Sequence, residues 1–161
     1  MASFDGPQIV INYSPELDLR IRCVSACHYR DAGGEEYRFE VKCRLRHPSG
    51  SFEYSCADLC FDINSFARFE QELRNVQQGA GDQAALKNVG ERFVLRLTGN
   101  SRELQAELAI REYIAPRLAT LTATIDVDYD LFVNKLVGEV GRFVAELRDV
   151  EPEDVGEEPQ S

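Results

Sequence analysis

Three aspartates alternate in IDVDYD, where Asp126, Asp128 and Asp130 match positions 1, 3 and 5 of a calcium loop. Such a loop then needs a glycine at position 6 and a bidentate acid at position 12. Leu131 and Val137 stand there instead, which points away from a cation. The same stretch, VDYDLF at 127–132, echoes FDINSF at 61–66, and an amphipathic helical pattern follows each copy. Asp62 and Asp128 then read as N-caps, carboxylates that accept backbone N–H bonds of a first turn. Phe61 with Phe66, and Val127 with Phe132, have the spacing of a hydrophobic staple. The hexapeptide is expected to be a joint between strand and helix.

The cysteines offer a second possible chemistry, because Cys23 and Cys27, and again Cys56 and Cys60, are four apart. Four strand residues span about 13 Å, whereas two thiolates on one zinc lie within about 4.6 Å of each other. One strand therefore cannot chelate zinc with both. The inward phase expected for Cys23, Cys27 and Cys43 makes them small core residues. The histidines are His28, on the solvent side of a strand, and His47, in a turn before Pro48. Cys27 and His28 do not form a dyad, because adjacent strand residues face opposite sides. Gly79 and Gly81 in GAGDQ lack the spacing and the Gly-Lys-Ser/Thr of a phosphate loop. No cofactor, metal or catalytic residue is expected.

The elements that carry these residues follow from periodicity. EYRFEVKCRLR, 36–46, alternates without an error, and Leu19, Ile21, Cys23, Cys27 and Tyr29 alternate likewise with Arg20, Arg22 and His28, with DAGG at 31–34 as the turn between them. HPSG turns into SFEYSCADLCF, whose apolar phase slips between Cys56 and Leu59, as a bulge near Asp58 would make it do. Phe93, Leu95 and Leu97, then Leu104 to Ile110, then Ala119 to Val127 give three more strands. Phe66, Phe69, Leu73 and Val76 mark one helical face, and Phe132 to Leu147 a second. The stretch 77–91 reads as a loop with a helical turn around Ala84 to Lys87. The expected fold is α+β: a curved, mainly antiparallel sheet of about seven strands and two amphipathic helices, in the order strands, helix, three strands, helix.

The 161 residues suffice for one domain, expected over 1–148. Residues 149–161, with six carboxylates, two prolines and no basic residue, are expected to be a disordered acidic tail. No apolar run reaches the ~18 residues of a membrane span, and the start has no basic, apolar leader, so a cytoplasmic protein is expected. A net charge of -10 repels phosphates, which argues against nucleic acid and anionic membrane and favours a basic protein partner. Against this, Arg20, Arg22, Arg38, Lys42, Arg44 and Arg46 gather on the outward face of the first strands. They form either a partner-binding stripe or a solvated face guarded against edge pairing.

SFEYSCADLCFDINSFARFEQEL, GDQAAL, ERFVLRL and LTATIDVDYDLFVNKLVGEV together resemble WapI-type bacterial immunity proteins and related small bacterial families, over about Leu19 to Leu147. The tryptophans associated with that group are absent. The resemblance implies a non-enzymatic protein that neutralises a toxin domain by binding it. Candidate contact residues are Arg38, Lys42, Arg44, Arg46, Asp126, Asp128 and Asp130. The alternative is a small-ligand or enzymatic module using a cleft between sheet and helices.

Overall fold

Strands that alternate apolar and polar residues must cover one face, and two amphipathic helices supply the cover. The computed structural model describes residues 5–30 and 34–155. Its elements are β1 (Gln8–Ser14), β2 (Leu17–Tyr29), β3 (Gly34–His47), β4 (Gly50–Phe61), α1 (Ile63–Gln77), β5 (Gln83–Lys87), β6 (Phe93–Gly99), β7 (Leu104–Ile114), β8 (Arg117–Val127), α2 (Leu136–Arg148) and β9 (Glu153–Val155). A π-helical turn over Asp130–Lys135 leads into α2. The fold is α+β and mainly antiparallel with two helices, as the periodicity predicts. Among the described residues the strands number nine and form two sheets, β1-β2-β3-β4 with β9 paired to β2, and β5-β6-β7-β8. Each sheet is an antiparallel meander followed by a helix, so the chain runs twice through four strands and a helix.

The two units share one core because their helices cross over. Glu72 of α1 accepts a bond from the Ala85 amide of β5 at 2.7 Å, and Arg142 of α2 reaches the Gln8 carbonyl of β1 at 3.4 Å. The helices pack against each other closely enough that a Cβ at Gly141 would lie 3.0 Å from Glu70 Oε1. Between the sheets and helices sit Phe39, Phe61, Phe66, Phe93 and Phe143, all fully buried. Phe66 lies 5.0 Å from Phe61, 5.1 Å from Phe143 and 5.2 Å from Phe39, centroid to centroid.

Several expectations need correction. Residues 83–87 form β5, not a helical turn, with Ala84 and Leu86 buried against the core. Part of the acidic tail is ordered: Glu153–Val155 pairs parallel with Cys27–Tyr29, and Arg30 meets Asp154 at 3.6 Å. Residues 156–161, and Asp31 to Gly33 of the expected turn, lie outside the described residues. The β2 register shifts between Cys23 and Ser25, which hands the buried phase from Cys23 to Ala26 and leaves Cys27 only half-buried. In β4 the bulge does fall at Ala57 and Asp58, since Phe39 faces Leu59 while Val41 faces Cys56.

Both copies of the hexapeptide are strand-to-helix joints. Asp62 accepts the Asn64 amide at 2.9 Å and Asp128 the Leu131 amide at 3.0 Å. The first staple is the Phe61–Phe66 contact, and Val127 and Phe132 both belong to the core. Asp62→Ala and Asp128→Ala are each expected to lower unfolding free energy by about 0.5–2 kcal/mol, measured by urea titration, with no shift in Tm on adding calcium. A calcium-dependent rise that disappears in Asp128→Ala would contradict the capping role.

Candidate partner-binding surface

The first sheet carries the basic stripe on β3. Arg38 donates to Glu36 at 2.7 Å and to Asp58 at 2.6 Å, Arg44 meets Glu53 at 2.8 Å, and Glu40 lies between Arg22 and Lys42 at 3.3 and 3.7 Å. Arg46 has no ion pair among the described residues. Exposed pairs of this kind contribute about 0–1 kcal/mol each, but together they cancel most of the stripe's field. A shallow cleft of about 400 Å³ on this face is bounded by Asp18, Arg20, Lys42, Arg44 and Glu53, again of mixed sign.

The three aspartates belong to the other sheet, so the structure does not bring the two candidate sets together. Asp126 accepts from Gln105 at 3.2 Å, Asp128 caps the helix and Asp130 accepts from Asn134 at 3.4 Å. They face separate partners. Among the described residues no group of three His, Cys, Asp or Glu is placed to hold a metal ion. The five cysteines are free; burial pushes the Cys23 thiol up to about 11 and the Cys43 thiol up to about 12, so neither supplies a thiolate near neutrality.

Register makes the second sheet electrically lopsided. Gly99, Leu104 and Val127 form its last row; beyond it stand Asp82, Glu103, Asp128 and Asp130, with Asp126 one row inside, none with a cationic partner among the described residues, and Arg102 in the turn is the cation nearest them in the chain. A groove of about 620 Å³ opens there, lined by Val76 to Asp82, Gly99 to Ser101 and Tyr129. Its walls are well tied: the Gly99 amide donates to the Asp82 carbonyl at 2.8 Å, Asn100 Oδ1 accepts the Arg102 amide at 2.9 Å, and the Tyr129 hydroxyl donates to the Gln77 carbonyl at 3.3 Å.

The opposite end is a basic, apolar arm. β6 pairs with β7 only as far as Phe93 opposite Ile110, while β7 and β8 remain paired to Ile114 opposite Arg117. Residues 111–120 therefore project as a two-stranded hairpin that turns through a cis Ala115–Pro116 peptide. Tyr113, Ile114 and Leu118 are 70%, 66% and 61% exposed, with Arg111 and Arg117 among them. Glu112 braces the base, accepting from the Tyr54 hydroxyl at 2.9 Å and pairing with Arg92 at 2.8 Å. Burial first, then the bond to Glu112, raises the Tyr54 phenol pKa, so the hydroxyl remains a donor. Sequence reasoning missed this arm; the available signal was apolar residues crowding a proline turn, where polar ones are the rule.

No protein-family model and no curated protein matches the chain. Among solved structures, a chain from "Crystal structures of trypanosoma bruciei MRP1/MRP2" is similar, at 13% identity and a TM-score of 0.40 over 91% of this chain and 90% of that one. No helix among the described residues is long and apolar enough to cross a membrane.

Proposed function

We propose that the protein is a non-enzymatic binding protein that captures a basic protein partner at the acidic end of its second sheet. The particular partner we propose is a bacterial toxin domain, which the protein neutralises as an immunity protein does. The observation that carries the reading is the groove of about 620 Å³ with Asp82 in its wall, Glu103 following in the turn that forms the other wall. It has room for a lysine or arginine side chain, and its walls supply backbone carbonyls, Asn100 and a carboxylate. The net charge of -10 attracts such a partner at long range. The basic residues of β3 contribute less, because all but Arg46 of that candidate set are ion-paired.

A second reading rests on the same groove. Its volume lies within the ~300–1,000 Å³ usual for small-molecule sites, so a small polar ligand held between the end of α1 and the sheet is the alternative.

The test is survival of cells expressing each toxin encoded beside the gene, with and without this protein, together with isolation of the complex. Wild type is expected to protect, and Asp82→Lys with Glu103→Lys to abolish protection while leaving the fold intact by circular dichroism. Failure to protect against every neighbouring toxin, with a small molecule retained through purification, would replace this reading with the ligand site.

A further inference from the structure

A sheet ends in two edges, and each exposes backbone donors and acceptors to any passing strand unless it is guarded. Three of the four outer strands are guarded. β1 has an irregular register between Ile11 and Ser14 and receives Arg142 from α2. β4 is bulged at Asp58, and its Cys60 carbonyl is taken by the Val89 amide at 2.9 Å. β5 ends in Lys87, lies against α1 and gives its Ala85 amide to Glu72.

β8 has none of these protections. Its eleven residues pair with β7 without a bulge, and among the described residues nothing hydrogen-bonds to its free side. From Leu118 to Ile125 the sequence LATLTATI has no charge, proline or glycine. The uncharged stretch is an open template about 26 Å long at ~3.3 Å per residue.

The edge also carries its own complement. Its arm end is basic and apolar, with Arg111, Arg117, Tyr113, Ile114 and Leu118; its other end is acidic, with Asp126, Asp128 and Asp130 around the exposed Leu131. Turned antiparallel, one copy of the strand sets each end against the opposite kind of end in another. Pairing about Thr122, the middle residue, places Thr120 opposite Thr124 and Leu121 opposite Ala123, so hydroxyls face hydroxyls and apolar groups face apolar groups at the centre; further out Leu118 stands opposite Asp126, and Arg111, beside Thr120 on the same face, is diagonal to that carboxylate, while Arg117 stands opposite Val127.

We propose that β8 joins β8 of a second copy of this chain in a two-fold symmetric dimer with one continuous eight-stranded sheet. Each arm lies along the partner's acidic helix start, with Leu131 beneath its apolar tip. A two-fold contact of this kind is self-complementary and closes, which prevents further growth from the same edge. Of the groove's lining only Tyr129 lies in the stretch this contact covers; Asp82, Asn100 and Ser101 belong to other elements.

Sedimentation equilibrium tests the proposal with two charge-reversed variants at exposed positions. Arg111→Asp with Arg117→Asp makes both ends of the edge acidic, and Asp126→Arg with Asp130→Arg makes both basic. Wild type is expected to be a dimer, and each variant alone to dimerise at least about tenfold more weakly. An equimolar mixture of the two variants is expected to recover a dimer holding one of each, which also shows that both are folded. A monomeric wild type, variants that dimerise as well as wild type, or a mixture that stays monomeric would overturn the proposal.

Discussion

Phe66→Ala is expected to remove about 3–5 kcal/mol of unfolding free energy, the range for deleting a fully buried ring. Phe66 is 1% exposed and stands at the fourth position after the α1 cap, where the staple turns it inwards. Its ring packs on Phe61 from β4, Phe39 from β3 and Phe143 from α2. Those neighbours come from three different elements, so no single rearrangement closes the cavity that the ring leaves. Phe143 belongs to the second unit, and the loss therefore uncouples the two halves as well as loosening the first. Urea unfolding followed by circular dichroism measures it; a change below about 1 kcal/mol would mean that the core is not built around this cluster.

Gly99→Ala should also be severe, for a reason that involves no buried apolar surface. Gly99 closes β6 at φ +138°, a conformation that L residues rarely adopt. A Cβ there would lie 2.0 Å from the Glu103 carbonyl oxygen, a backbone atom that cannot swing aside. The turn is held on both sides, by the Gly99 amide bonded to the Asp82 carbonyl and the Asn100 amide to the Glu103 carbonyl at 2.9 Å. Strained backbone costs about 1–3 kcal/mol and a steric clash about as much again, so a loss of about 2–6 kcal/mol is expected. Because the turn forms one wall of the groove, partner binding should weaken too. A variant as stable as wild type would show that the turn is not held in this geometry.

Much of the fold was legible in the sequence because local period matched tertiary face. In β3 the alternation of Tyr37, Phe39, Val41 and Cys43 survives as four buried side chains, and the phase slip in β4 located its bulge. β5 was not legible: QAALK is short, rich in alanine and close to glycines, and its strand geometry comes from Leu95 and Leu97 alongside and from α1 above. β9 escaped for a related reason, since EDV buries little and its order derives from the β2 backbone and Arg30. Cys27 changes environment because the register slips at Val24, and the residue types mark the slip: apolar Val24 and Ala26 flank polar Ser25, the reverse of the alternation before them.

The candidate site divides in the same way. The cap at Asp128 was readable from its spacing to Phe132, because capping is local chemistry. The acidic end of the second sheet was not, because Asp82 and Glu103 reach Asp126 only through the β5-β6-β7-β8 register. The arm is likewise a product of register: β7 and β8 outrun β6, and only that difference exposes Tyr113, Ile114 and Leu118.

Capture of a basic protein without turnover is tested most directly by the association rate with a neutralised toxin domain as ionic strength is varied. Exposed charges are screened beyond about 8 Å at physiological ionic strength. The association rate is therefore expected to fall about tenfold or more from low to high salt, with little change in the dissociation rate and the toxin recovered chemically intact. Association indifferent to salt, or a toxin recovered in altered form, would contradict it.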